Sequence, residues 1–339
     1  MTLSEHINDA PAFDGLIQSE VATRTIRVLT YNILTGGWPR RDAIEAVIRD
    51  ARADIIALDE ASPETLEALA SSLGMYSAFS PGTKYGWSVG LLSRWPLQEV
   101  NQHSNGPLNN AMLEALIVPD GATPLRIFAA HLTAHYSHWR AGEGQRLREL
   151  AYILQRMRAT EGDGAEQILL GDFNSLAPGE PLLASQLLLH AAALDDRRDQ
   201  GEDLDGLPTI AKVLPRPLRP LAETLIRLAQ IPALAALCDL AAGLYTPRAV
   251  VRQARAAGYT DLYAATHPDM SQRVGSCPSH DPAGRIDYIF ASPALAARLV
   301  ACEVLTDTPT RPISRASDHR PVLATLATLA LDTPDTTTP

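Results

Sequence analysis

Apolar runs of strand length and stretches of helical spacing alternate along this chain. Ile26 to Ile33 reads as a strand, Asp42 to Ala53 as a helix, and Asp54 to Leu58 as a short buried strand. Ser62-Pro63-Glu64 opens the next helix: Ser62 is an N-cap, and Pro63 takes the first helical position, where its missing N–H costs nothing. Gly74 ends that helix. Met75 to Ser80, Trp87 to Ser93, Leu97 to Gln102, Ala111 to Val118 and Leu125 to His131 then read as strands. Pro119-Asp120-Gly121 is a turn between the last two, which predicts a hairpin. Arg140 to Ala159 has helical periodicity, Gln167 to Leu170 is a short apolar strand, and Arg285 to Ala291 and Arg320 to Leu326 close the strand set. Hairpins mixed with crossovers imply an α/β layered sandwich.

Residues 1–23 read as a flexible leader and 331–339 as a disordered tail rich in Thr, Pro and Asp, leaving 24–330 as one domain. One stretch stands apart. Pro208 to Ala242 joins a basic, Pro-rich segment (Lys212, Arg216, Arg219) to an apolar run from Leu221. Glu223, Arg227, Pro232 and Asp239 interrupt that run, so it reads as a helical insert packed on the domain, or as a lid, and not as a transmembrane segment.

Composition narrows the chemistry. With 46% hydrophobic and 20% charged residues, the 339-residue chain can bury a sizeable core. A formal charge of −10 does not indicate a general nucleic-acid binder, because such affinity comes from Lys and Arg displacing counterions. Cys238, Cys277 and Cys302 form no zinc or redox spacing and read as reduced thiols outside the chemistry. Met1 to Glu20 carries four acids and no apolar run, so no signal peptide is visible and a cytoplasmic, monomeric protein is the default.

Polar groups recur where these apolar strands end: Asn32, Glu60, His131, Asp172, Asn174 and Asp287, with Asp318-His319 just before the last strand. Strand ends form a rim on which side chains converge. Hydrolysis of a phosphate ester needs charge neutralised on the phosphoryl oxygens and a water activated for in-line attack. Hard oxygen ligands from Asn32, Glu60 and Asp318 suit Mg²⁺ or Mn²⁺. A carboxylate beside His319 would hold its ring in one tautomer or keep it protonated.

Leu29-Thr30-Tyr31-Asn32-Ile33-Leu34, Ala57-Leu58-Asp59-Glu60-Ala61, Ala130-His131-Leu132, Leu170-Gly171-Asp172-Phe173-Asn174-Ser175, Arg285-Ile286-Asp287-Tyr288-Ile289-Phe290 and Ser317-Asp318-His319-Arg320-Pro321 resemble, in order, the motifs of the endonuclease/exonuclease/phosphatase superfamily. That superfamily spans deoxyribonucleases, apurinic/apyrimidinic endonucleases, inositol polyphosphate 5-phosphatases, neutral sphingomyelinases and deadenylases. The resemblance implies a four-layer sandwich of two mixed β-sheets flanked by helices, and a divalent-metal-dependent phosphoesterase, preferably a phosphodiesterase. It implies Glu60 as principal metal ligand with Asn32 and Asp318 nearby, and Asp172 orienting or deprotonating the attacking water. Asn174 would hold a phosphoryl oxygen. His319, paired with Asp287, would stabilise developing charge, and His131 would bond the phosphate or assist the leaving group.

The substrate class stays open among nucleic acid, lipid and small molecule. A binding protein that kept the fold without catalysis would have lost Glu60, Asp172 or His319, and all three are present. Asp59 stands where the family commonly has Gln; strand alternation predicts that it points away from the face used by Glu60. His135, His138, Arg146 and Arg148 read as ordinary loop or solvated helix residues.

Overall fold

A computed structural model describes residues 24–84, 86–134, 140–204, 206–310 and 312–328. The expected leader and tail, with His135 and His138, lie outside the described residues. Twelve strands are found among the described residues: β1 (Thr25–Gly36), β2 (Ile55–Ala61), β3 (Tyr76–Ser80), β4 (Val89–Ser93), β5 (Leu97–His103), β6 (Met112–Ile117), β7 (Leu125–Ala130), β8 (Glu166–Asp172), β9 (Thr260–Asp261), β10 (Asp287–Ala291), β11 (Leu299–Val304) and β12 (Val322–Ala327). They form two six-stranded mixed sheets, ordered β11-β12-β1-β2-β4-β3 and β5-β6-β7-β8-β10-β9. The expected β6–β7 hairpin is present, antiparallel from Met112↔Ala130 to Ile117↔Leu125.

Alternation along each strand builds the layers, because successive side chains leave opposite faces. Val28, Ile55, Ala57, Leu113, Ile127, Leu170 and Ile289 enter one core between the two sheets. Their neighbours Leu29, Ile56 and Leu58 face outward to the helices α1 (Arg41–Ala51) and α2 (Pro63–Leu73), where Ile44, Val47, Leu66 and Leu69 cover them. On the other sheet Phe128, Leu169, Tyr288 and Phe290 meet Leu150, Ile153 and Leu154 of α3 (Arg140–Ala159) and, farther along the chain, Val250 and Val251. Helix, sheet, sheet, helix is the four-layer sandwich that the sequence predicts.

Local signals fix the helix ends. The Ser62 hydroxyl accepts from the Thr65 amide, and Gly74 terminates α2 in the left-handed conformation that favours glycine.

The segment before and through the insert holds α4 (Ala184–Asp199), a short α5 (Ile210–Val213), a 3₁₀ stretch at Arg216–Leu221, α6 (Ala222–Ala229) and α7 (Pro232–Tyr245), followed by α8 (Ala249–Ala256). The insert is helical, its last helix runs on to Tyr245, and it packs on α4, which the sequence pattern does not announce. No single helix among the described residues is long and apolar enough to cross a membrane.

Candidate active site

Five strands carry the parity of the inter-sheet core straight into polar residues. Ile26 and Val28 are followed on the same face of β1 by Asn32, and Ile55 and Ala57 of β2 by Asp59. Leu125, Ile127 and Ala129 lead to His131, and Ile168 and Leu170 to Asp172, while Asp287 shares a face with Ile289 and Ala291. Because Asp287 pairs with Asp172 and Asn32 with Asp59, these groups gather at one end of the core. All five are buried.

Glu60 has the wrong parity for that face and reaches it by another route. Its backbone lies in the left-handed region (φ 65°), a conformation that costs a non-glycine residue roughly 1–3 kcal/mol. One carboxylate oxygen then accepts from Asn32 Nδ2 at 3.1 Å and the other from the Thr35 amide at 2.8 Å. The same Asn32 nitrogen donates to Asp172 Oδ2 at 3.1 Å, so a single amide ties the carboxylates of the two sheets together. Asn174, also left-handed (φ 45°), donates its own amide N–H to Asp172 Oδ1 at 2.8 Å. Its side-chain nitrogen donates to the Leu132 carbonyl and sits 3.2 Å from His131 Nε2, which makes that ring nitrogen an acceptor.

His319 completes the centre. Its Nδ1 lies 2.9 Å from Asp287 Oδ2, and its Nε2 lies 3.9 Å from Asp172 Oδ2. Ser317 places the loop: its hydroxyl donates to the Asn32 carbonyl at 2.6 Å and accepts the His319 amide at 3.1 Å. Asp318, half-buried on this loop, is close enough to Glu60 for their charges to interact.

Crowded carboxylates in a dry site cannot all ionise freely. Burial first, and the Asp287 charge second, push the Asp172 carboxyl far above the usual range; His319, the Asn174 amide and Asn32 pull against them. Burial likewise raises Glu60, against the Thr35 amide, and raises Asp59 well above its ordinary value with help from Asp172. The two imidazoles diverge. Burial and the nearby His319 lower His131 to about 3, so it is neutral. Burial would also discharge His319, but Cys277, Asp287 and Asp318 outweigh it and hold the ring protonated. Two titratable rings whose surroundings push their pKa values apart are the arrangement that acid–base sites use.

A divalent cation fits this donor set. Glu60, Asp318, Asp172 and the Asn32 amide are hard oxygen donors, and the Oδ1 atoms of Asp287 and Asp59 are buried with no hydrogen-bond partner among the described residues. Ligating atoms also converge within 4.8 Å in two groups, Asp172–Asp287–His319 and Cys277–Asp318–His319.

All the site residues expected from sequence (Asn32, Glu60, His131, Asp172, Asn174, Asp287, Asp318 and His319) are thus joined in one constellation. Three other expectations are corrected. Asp59 does have the parity opposite to Glu60, but its face is the one the site occupies: its Oδ2 accepts the Asp172 amide at 2.8 Å. Arg146 is buried, not solvated, and donates to the Thr133 carbonyl at 3.0 Å, while Glu149 accepts the Thr133 amide at 2.9 Å. This pair pins the loop that follows His131. Cys277, set aside as a bystander, lies against Asp318 and His319. Sequence reading also passed over Arg40, which donates to the Ala316 and Leu34 carbonyls and faces Asp318 and Glu60 electrostatically.

The sequence matches the model of the Endonuclease/Exonuclease/phosphatase family over residues 29–319. No curated protein matches it. Among solved structures, a 3'-5' exonuclease from Neisseria meningitidis is similar at 17% identity and a TM-score of 0.57, covering 89% of this chain and 100% of that one. An AP endonuclease from Archaeoglobus fulgidus is similar at 16% identity and a TM-score of 0.54, with 88% and 98% covered. Truncated TDP2 from Caenorhabditis elegans is similar at 14% and 0.52, with 89% and 98% covered. At such identities the structures bear on fold, and the matched family model bears on class. The chain belongs to the endonuclease/exonuclease/phosphatase family of phosphoester hydrolases, whose members are typically Mg²⁺-dependent.

Proposed function

We propose that this chain is a divalent-cation-dependent phosphodiesterase. The observation that carries the reading is the buried pair of oppositely disposed groups, a protonated His319 held by Asp287 and a carboxylate, Asp172, whose proton affinity burial has raised. A cationic donor and a proton acceptor 3.9 Å apart are what in-line attack of water on a phosphodiester requires. A cation held by Glu60, Asn32 and Asp318 would supply further neutralisation of phosphoryl charge.

The residues divide the work by geometry. Asp172, fixed by Asn32 and the Asn174 amide, orients the attacking water and takes its proton. His319 donates from Nε2 to a phosphoryl oxygen, and Asp287 keeps that ring charged and turned. Asn174, through its bonds to Asp172, the Leu132 carbonyl and His131, holds those groups around the phosphoryl group. His131, lowered by burial to about 3 and so neutral, hydrogen-bonds the phosphate or assists the leaving group as an uncharged ring. The P–O bond to the departing oxygen then breaks, and that oxygen is protonated by water. Asp59 stiffens the base from below through the Asp172 amide.

A phosphodiester other than nucleic acid is favoured, because the chain is acidic (−10) and only 5% aromatic, against the basic stripe and stacking platform of nucleic-acid binders. The test is hydrolysis of bis-p-nitrophenyl phosphate, p-nitrophenyl phosphate, plasmid DNA and RNA with Mg²⁺ or Mn²⁺, in parallel with EDTA. Turnover of the simple diester that EDTA abolishes and Mg²⁺ restores is expected. Glu60→Gln should cut it at least ~10²-fold, the scale of one lost electrostatic stabiliser. Undiminished activity in EDTA sinks the reading.

A further inference from the structure

Helix α7 is built inside out. Its only charged residue, Asp239, faces the protein, where its carboxylate accepts from the Ser185 amide at 2.7 Å and from the Ser185 hydroxyl at 3.0 Å. Its apolar residues face out: Ala233, Leu237, Leu240, Ala241 and Leu244, spaced three or four apart, form one exposed stripe. Leu240 is 62% exposed and Leu244 78%, and no residue of the helix is fully buried. Ile231, the residue before the first turn of α7, adds a further half-exposed apolar side chain. A contiguous apolar face of this kind is rare on a soluble protein and marks a surface meant to be covered.

Charge tells what covers it. The insert carries Lys212, Arg216, Arg219 and Arg227, and Glu223 is its one exposed acid, in a chain whose net charge is −10. A second copy would bring another positively charged insert against this one; an anionic lipid surface would neutralise it. The helix can lie on such a surface but not cross it. Together α7 and α8 have the length and apolar composition of a broken membrane segment, bent by 49°. Yet Val250, Val251 and Ala254 of α8 are committed to the core over the second sheet.

The helix that anchors α7 also leads toward the catalytic centre. Ser185, which holds α7, is five residues before His190 on α4, about 7.5 Å of helix rise. His190 lies within electrostatic reach of Asp318 and packs against His280 at 5.6 Å between ring centroids. The loop leading to the insert closes on the rim as well: a Cβ on Gly206 would meet Thr35 Oγ1 at 2.1 Å, next to the amide that holds Glu60.

We propose that α7 is an interfacial helix that docks this protein on an anionic lipid bilayer and brings membrane-borne phosphodiesters to the catalytic centre. The second half of that statement rests on the phosphodiesterase reading; the docking does not. The test is co-sedimentation of the full chain with vesicles of phosphatidylcholine, alone or mixed with phosphatidylglycerol, at low and high salt. The wild type should sediment with the mixed vesicles, less so at high salt as charges are screened. Leu237→Ser/Leu240→Ser/Leu244→Ser should lower that partitioning at least ~10-fold, because three leucines no longer bury apolar area. Hydrolysis of bis-p-nitrophenyl phosphate should be the same in both.

A wild type that stays in the supernatant with anionic vesicles overturns docking, as does a folded triple variant that sediments as well as the wild type. A wild-type dimer that the triple variant converts to monomers, with neither binding vesicles, makes the face a contact between copies and also overturns it. If the triple variant loses its cooperative thermal transition, Lys212→Glu/Arg227→Glu, which alters no apolar packing, should lose vesicle binding instead; retained binding refutes the charge argument. Vesicle binding without diester hydrolysis leaves docking standing and removes the phosphodiesterase reading, and hydrolysis without binding does the reverse.

Discussion

Replacing Asp287 with Asn tests the centre at its most quantitative point. The change preserves shape and leaves an acceptor for His319 Nδ1, but it removes the charge 2.9 Å away. With an effective dielectric of about 20, unit charges at that distance interact by roughly 6 kcal/mol. That is equivalent to about 4 pKa units. Asp318 and Cys277 still favour the imidazolium, and the amide dipole restores part of the loss, so a fall of at least about 2 units in the His319 pKa is expected. The wild-type ring is held far above its ordinary value, and the variant ring should fall back toward it.

The assay is kcat for bis-p-nitrophenyl phosphate against pH at saturating Mg²⁺. If His319 acts as a cation, activity is lost on the alkaline side as it deprotonates. Asp287→Asn should therefore move the alkaline limb down by at least about 2 pH units and cut kcat at pH 8 by roughly 10²-fold or more, with a smaller deficit at pH 6. His319→Ala combined with Asp287→Asn should be little worse than His319→Ala alone, because a pair that acts as a unit loses catalysis only once. A uniform loss at every pH, with the alkaline limb unmoved, would refute the electrostatic role and leave Asp287 a packing residue.

Asp59→Asn should stabilise the metal-free protein. Asp59 has a folded pKa above its unfolded value, so its favourable contribution is present below about pH 4 and is lost as pH rises toward the folded pKa; urea denaturation in EDTA should show the variant gaining on the wild type by ~1–3 kcal/mol between pH 5 and 8, and an equal difference at both pH values would contradict this. His131, depressed to about 3, has the opposite sign: its contribution is complete above about pH 6.5 and falls by up to ~3 kcal/mol by pH 4.5, and His131→Gln should remove that part of the acid sensitivity in thermal melts. Gly171→Ala should cost at least ~3 kcal/mol in denaturant titrations, because φ is 142° and a Cβ would sit 2.0 Å from the Ala130 carbonyl oxygen; loss of Asp172 placement should take activity with it, and a variant as stable as wild type would mean that β7 and β8 separate without cost.

What the sequence discloses and what it hides follow from the same strand parity. The two sheets are legible because apolar residues alternate or run unbroken over strand lengths, and the site is legible because those runs end in Asn32, His131, Asp172 and Asp287 on one face. Parity misleads where the backbone departs from extended geometry. Glu60 reaches the inner face only through its positive φ, which no apolar pattern encodes, so the neighbour with inward parity, Asp59, was expected to point away from the site when it lies beneath it. Residues that act through long-range contacts leave no periodic trace either. Arg146 is committed to the Thr133 carbonyl, and Arg40 to Ala316, 276 positions along the chain; their helices look like ordinary charged surface until the fold closes over them. Cys277 joins the centre for the same reason, brought to His319 by the chain between β9 and β10. The insert fails in a different way. A helix apolar all round has no preferred inner face by sequence, and the bland inference is burial. In α7 the decisive residue is Asp239, whose carboxylate finds Ser185 inside and thereby turns the leucines out. One buried polar contact chooses the face of the helix, and with it the surroundings that the insert is suited to meet.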